Sequence, residues 1–219
     1  MRRKLLSEFI GTYFLVFAGT GAIVVNDLTK SLSHVGVALV FGTVVMALIY
    51  TFGHISGAHF NPAVTLAFLL RKEVAGKLAL LYIITQTVAA IVASMTVGRI
   101  LGQEASLGAT LPRSSWQQAF FLEIILTFAL MIVILGSAVH GKAVKSFAGL
   151  AIGATVGLEA MFAGPISGAS MNPARSIGPA LVSGNLQALW LYIVAPILGA
   201  LFATWIYQYL HEAGEIDEK

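Results

Sequence analysis

Two short stretches of this chain, "SGAHFNPAV" from Ser56 to Val64 and "SGASMNPARS" from Ser167 to Ser176, say nearly the same thing far apart in the sequence. In each, Asn-Pro can open a helix: the asparagine caps the first turn, and proline at the first helical position gives up no needed donor. One copy would be an ordinary helix start. Two copies pair Asn61, Pro62 and Ala63 with Asn172, Pro173 and Ala174, and each asparagine still has an amide NH2 to offer. Two such donors aimed at one spot make a passing water accept twice through its oxygen, which interrupts the oriented chain that proton hopping needs. Two helix N-termini aimed at the same spot repel cations. Arg175 directly follows the second motif. This is the chemistry of selection and exclusion, with no bond made or broken.

The elements that hold such a pair must lie in a membrane. The 219 residues are 58% hydrophobic and 11% charged, with a mean hydropathy of +0.87, against roughly 25% charged for a soluble domain. Six apolar runs approach or exceed the ~20 residues that span a bilayer as a helix: Leu5 to Val25, Val35 to Phe52, Leu78 to Leu101, Ala119 to Val139, Phe147 to Phe162 and Leu186 to Leu210. They are too long and too uniform for transmembrane strands, which take about ten alternating residues. The first run follows Arg2, Arg3 and Lys4 but is too long for a signal-peptide core and lacks a clear cleavage site. The expected fold class is an all-α membrane protein with six transmembrane helices.

Lysine and arginine outside the spans orient the chain. Arg2, Arg3, Lys4, Arg71, Lys72, Lys77, Lys142 and Lys145 fall on one side, and Lys30, Arg99 and Arg113 on the other. Both termini are therefore expected in the cytoplasm, with the protein in the plasma membrane. The net charge of +3 is a topology signal and implies no nucleic-acid partner. The acidic stretch from Glu212 to Glu218 reads as a solvated end. Without cysteine there is no disulfide, thiolate metal site or thiol nucleophile. His34, His54, His140 and His211 have no metal-ligand spacing, so neither a metal nor a cofactor is implied.

The likeness extends beyond the Asn-Pro-Ala motifs. "EFIGT" from Glu8 matches "EIILT" from Glu123, "GVAL" from Gly36 matches "GLAI" from Gly149, and "LYIITQTVAAIVA" from Leu81 matches "LYIVAPILGALFA" from Leu191. Residues 1–219 read as one transmembrane channel domain of two repeated halves. Two places offer themselves for the join: between halves of about 1–104 and 115–219, and around Gly141 to Lys145. Three spans per half make the second half enter inverted, and a solute path then lies where the halves meet. After each motif, "AVTLAFLL" and "ARSIGPALV" are too short to span, so two half-helices are expected to meet near the midplane. Non-helical backbone at that depth must be buried or line a wet cavity. Gly57, Ala58 and His59, with Gly168, Ala169 and Ser170, are therefore expected to line the path with their carbonyls.

These paired motifs, with "EFIGT" near the start, resemble the major intrinsic protein (aquaporin) family over essentially the whole chain. The stretch from Phe162 to Gly184 is most similar to bacterial and nodulin-26-like members. The resemblance implies six tilted helices plus two re-entrant half-helices, one pore per subunit and a homotetramer. In such pores an arginine or half-helix dipoles exclude protons and cations. It also implies a constriction of Phe41, Ala160, Ala169 and Arg175. Ala160 stands where strictly water-selective members carry histidine, so the expected cargo is water plus small uncharged solutes: glycerol and, as in these relatives, boric or arsenous acid. A strictly water-selective pore is the alternative. Ser176, Ala180 and the pair Tyr192-Ile193 point in mixed directions on this question.

Glu8 and Glu123 fall in matching places and read as buried carboxylates that accept donors from the loops. Glu159 has no such mate; it pairs with Arg175 or faces a neighbouring helix, and it is the one candidate acid for a coupled secondary transporter, the rival function class. His59 reads as a neutral histidine of the path or its loop, with a pH-sensitive gate as the alternative. Trp116 and Trp190 read as interfacial anchors. No nucleophile–base pair suggests an enzyme.

Overall fold

The computed structural model describes residues 1–212, which form eight α-helices and, among the described residues, no strand. In chain order these are α1 Arg2–Thr29, α2 Ser33–Ser56, α3 Pro62–Leu70, α4 Gly76–Leu101, α5 Trp116–Ile134, α6 Ala148–Ser167, α7 Pro173–Ser183 and α8 Leu189–Glu212. Six, all but α3 and α7, are long and apolar enough to cross a membrane. Helix α5 does so with a π-helical turn, Leu135–Val139, as its last stretch. The acidic stretch from Glu212 to Glu218 lies, apart from the backbone of Glu212, outside the described residues.

The helices outrun the apolar runs that mark them. A hydrophobic run reports the lipid crossing, whereas a helix continues until its backbone is turned. Helix α2 thus ends at Gly57 (φ 90°) and α6 at Gly168 (φ 88°), both left-handed, a conformation that favours glycine. The expected end of α6 at Phe162 falls short because Pro165 is accommodated inside the helix. At the other boundary, Leu186 to Ala188 form a turn ahead of α8, with Leu189 N–H donating to Leu186 O.

Small residues decide how closely the long helices approach. A Cβ on Gly42 of α2 would stand 2.7 Å from the carbonyl oxygen of Gly153 on α6, and one on Gly153 would stand 2.6 Å from that of Gly42. Only glycine allows this contact, as membrane helices use generally. It matters because α2 and α6 form two walls of the central cavity.

Gly141 to Lys145 is not the join between the repeated halves. It links α5 to α6, and both carry segments of the second matched set, "EIILT" from Glu123 and "GLAI" from Gly149. The connection between α4, the last helix with a segment of the first matched set, and α5 is 102–115, which includes the turn Glu104–Gly108. The N-termini of the two short helices, α3 and α7, meet inside the bundle.

Candidate functional site

The loops ahead of α3 and α7 are held by the same device. Glu8, fully buried on α1, accepts from Ser56 Oγ (2.7 Å), His59 N (3.0 Å) and Phe60 N (2.8 Å). Glu123, fully buried on α5, accepts from Ser167 Oγ (2.7 Å), Ser170 N (2.8 Å) and Met171 N (2.9 Å). Tyr82 OH donates to Ser56 O and Tyr192 OH to Ser167 O, which clamps the last carbonyl before each loop. Such bonds to a carboxylate are about twice as strong as neutral ones. They hold a backbone with costs of its own: Ala58 (φ 50°), Phe60 (48°), Ala169 (41°) and Met171 (54°) are left-handed without being glycine, at about 1–2 kcal/mol each.

Asn61 Oδ1 accepts from Ala63 N (2.9 Å), and Asn172 Oδ1 accepts from Ala174 N (3.0 Å) and Arg175 N (3.3 Å), which caps the two short helices. Their amides also cross: Asn61 Nδ2 donates to Met171 O (2.7 Å) and Asn172 Nδ2 to Phe60 O (2.8 Å). Each NH2 therefore spends one hydrogen stitching the opposite loop and has one left for the cavity. The two donors expected from the motifs are thus one N–H from each asparagine, because the other hydrogen joins the loops.

A cavity of about 970 Å³ runs from Lys4, Glu73 and Lys145 at one end to Phe41, Ala160 and Arg175 at the other. One side is apolar, with Phe41, Val45 and Ile49 of α2 and Ile152, Val156 and Ala160 of α6 in stripes spaced by four residues, so each helix shows one face. The loop side supplies Gly57, Ala58, His59, Asn61, Ala169, Ser170 and Asn172. Gly168 does not line it: its Cβ position faces Thr110, 3.1 Å from Cγ2. Pro62, Ala63, Pro173 and Ala174 are buried and also stand off the cavity. The Thr65 hydroxyl donates to Asn61 O (3.0 Å), so His59 Nδ1, 3.1 Å from it, must be the donor of that contact. This places a proton on Nδ1 of a ring stacked on Phe68 at 4.7 Å between ring centroids.

Phe41, Ala160, Ala169 and Arg175 come together at the far end. Arg175 is 2% exposed, and its Cζ stands 5.1 Å from the Phe41 ring centroid. Nη1 donates to Gly108 O at 2.8 Å, and Nε has no partner. That carbonyl is delivered by an unusual turn in which Ala105, Ser106, Leu107 and Gly108 are successively left-handed (φ 48°, 47°, 55° and 71°), with Leu107 fully buried beside Val24 and Val97. The same connector sends Thr110 Oγ1 to Ser176 Oγ (2.7 Å), which in turn contacts Ser170 Oγ (2.6 Å).

The pattern of the family described as "Major intrinsic protein" matches residues 1–207. The chain belongs to the major intrinsic protein family. Aquaporin NIP1-1 of Zea mays is 47% identical over 207 residues, covering 94% of this chain and 73% of that protein. Nodulin-26 of Glycine max is 44% identical, covering 94% and 76%. The X-ray structure of the aquaglyceroporin from Plasmodium falciparum superposes with a TM-score of 0.81 at 28% identity over 94% of each chain. This major intrinsic protein is an integral, multi-pass membrane channel for water and small solutes, and its fold is that of the aquaporins.

Several residues of the major intrinsic protein site carry no motif of their own. Tyr82 and Tyr192 stand in the repeated "LYI" segments, a signal of pairing but not of clamping. Gln86, whose Nε2 bonds Glu8 Oε2 (2.8 Å) and Thr65 Oγ1 (3.1 Å), and Gly108 have no signal at all. Glu159, 3% exposed, does not pair with Arg175: its Oε2 is buried without a partner. Trp116 and Trp190, about half exposed, pack together at 5.4 Å between ring centroids.

Proposed function

We propose that this channel conducts water and small uncharged solutes, glycerol and boric or arsenous acid among them, passively, while excluding protons and ions. The observation that carries the reading is the far end of the cavity. There Arg175 and Phe41 face two alanines, Ala160 and Ala169, so one pair of walls supplies a charge and a ring, and the other supplies no bulk. A histidine at Ala160 would both fill that side and add a hydrogen-bonding partner. The half-helices α3 and α7 present N-termini worth about half a positive charge each at the place where the remaining asparagine hydrogens point, which supports exclusion of cations and protons.

Residues 1–219 work in this reading as one channel domain of halves 1–104 and 115–219. The pore centre is at Asn61, Pro62, Ala63, Asn172, Pro173 and Ala174, and the selectivity filter is Phe41, Ala160, Ala169 and Arg175. Glu8 and Glu123 act as structural buried acids. The channel is a homotetramer in the plasma membrane, one pore per subunit, with both termini in the cytoplasm. The Plasmodium falciparum neighbour is described as an aquaglyceroporin, which favours the wider cargo.

The test is stopped-flow light scattering on proteoliposomes with water, glycerol and boric acid, for the native chain and for Ala160→His. Passage of all three by the native chain, with the two larger solutes suppressed by the histidine, supports the reading. Passage of water alone by the native chain replaces it with a water-selective channel.

A further inference from the structure

Helix α1 contributes no side chain to the proposed filter, yet it backs the filter's one ring. Gly19, buried on α1, faces Phe41 so closely that a Cβ built there would lie 2.2 Å from Cε1, 2.5 Å from Cζ and 2.6 Å from Cδ1. Two turns earlier on the same helix, Gly11 does the same for Phe60, the residue ahead of Asn61, at 2.0 Å from Cε1. The ring of Phe41 is thus confined on one side by bare α1 backbone, and on another it meets the Arg175 guanidinium at 5.1 Å. Phe41 also belongs to the main core cluster, and the open volume beside it is the cavity it helps to line.

Resting on the filter reading above, we propose that Gly19 is a specificity-determining residue of the channel: by lacking a side chain it lets the Phe41 ring seat back against α1, and so sets the width left opposite Arg175. The displacement is easily bounded. Carbon atoms in contact stand about 3.5–4.0 Å apart, so a methyl group at this position drives the ring more than about 1 Å. The contacted atoms are the ring's outer edge, which moves by side-chain rotation, and the free direction is into the lumen toward Ala160 and Ala169. A wider solute loses its route through such a narrowing before water does.

The experiment compares glycerol and water permeability of the native chain, Gly19→Ala, Phe41→Val and the double variant Gly19→Ala/Phe41→Val in proteoliposomes of matched protein content. A single methyl changes discrimination by about 10–200-fold. Gly19→Ala is therefore expected to lower glycerol permeability at least about tenfold while water falls less, and the double variant, with no ring to displace, is expected to recover glycerol. An unchanged glycerol-to-water ratio in Gly19→Ala overturns the proposal, as does a loss of both permeabilities that Phe41→Val does not restore. If Phe41→Val raises glycerol and Gly19→Ala changes nothing, the filter stands and the role of Gly19 falls. If Phe41→Val leaves the ratio unchanged, the filter reading itself fails. Should the native chain pass water alone, the drop and its recovery are read on water permeability, and an undiminished water flux in Gly19→Ala overturns the proposal.

Discussion

The Glu8 cradle and the Glu123 cradle build the same backbone from different surroundings. In both, a buried carboxylate takes a serine hydroxyl and two consecutive N–H groups, a tyrosine clamps the serine carbonyl, and an asparagine caps a short helix and crosses to the other loop. The differences lie at the periphery. Gln86 has Pro196 as its counterpart, His59 with Thr65 has Ser170 with Ser176, and Val64 has Arg175. What the halves share determines where the chain goes, and what they do not share faces the lumen or steadies a residue that does. The following changes are ordered by their expected effect on stability, and each either breaks or sharpens that division.

Removing a carboxylate should be the gravest change, and equally grave in both halves. Glu8→Ala and Glu123→Ala each strand several buried donors, at about 1–3 kcal/mol apiece, against a total stability of roughly 5–15 kcal/mol. Neither variant is expected to give monodisperse protein in detergent. A well-folded Glu123→Ala beside a failed Glu8→Ala would show that the likeness of the cradles is geometric and not energetic.

Next come the asparagines. Asn61→Ala and Asn172→Ala each lose a helix cap, about 1 kcal/mol, and one crossing bond, about 1 kcal/mol net. Asn172 also accepts from Arg175 N, so its loss should be slightly the larger. Unfolding midpoints in detergent, measured side by side, check both the size and the order.

Gln86→Leu separates what the first cradle has from what it needs. The substitution removes donors to Glu8 Oε2 and Thr65 Oγ1, but it also removes Oε1, which is buried without a partner. A net loss of about 1 kcal/mol is expected, because Glu123 manages without any such donor. A collapse as severe as that of Glu8→Ala would mean that the first carboxylate depends on its fourth contact.

How far this arrangement is legible in the sequence follows the same division. The six spans, the short helices and the matched acids are visible because hydrophobic length, Asn-Pro-Ala and a repeated Glu are local signals. The meeting of Phe41, Ala160, Ala169 and Arg175 comes from family resemblance, since no periodicity links positions so far apart. The support from Gly108 is hidden altogether. Nothing in "EASLG" marks Ala105, Ser106 and Leu107 as left-handed, a state that tertiary packing of Leu107 imposes against their own preference. The join misplaced at Gly141 to Lys145 has a similar cause: a polar loop between two spans looks the same whether it separates halves or only helices.

Arg175→Val should change stability least, and it tests the division most directly because it makes the second half like the first, where Val64 holds the matching place. The variant leaves Gly108 O without its donor, about 1 kcal/mol. Against this, it removes a charged residue that is 2% exposed and has an unpartnered Nε, and replacing buried charge by apolar bulk is often neutral or favourable. The unfolding midpoint is therefore expected to stay within about 1 kcal/mol of native. Conduction should not stay the same. With the guanidinium gone, the positive barrier falls to the two half-helix dipoles alone, and the opening beside Phe41 widens. Glycerol permeability should rise relative to water, and a proton leak should appear in pH-dye-loaded vesicles. A folded variant with unchanged selectivity would place proton and ion exclusion entirely at Asn61 and Asn172, in the part that the halves share.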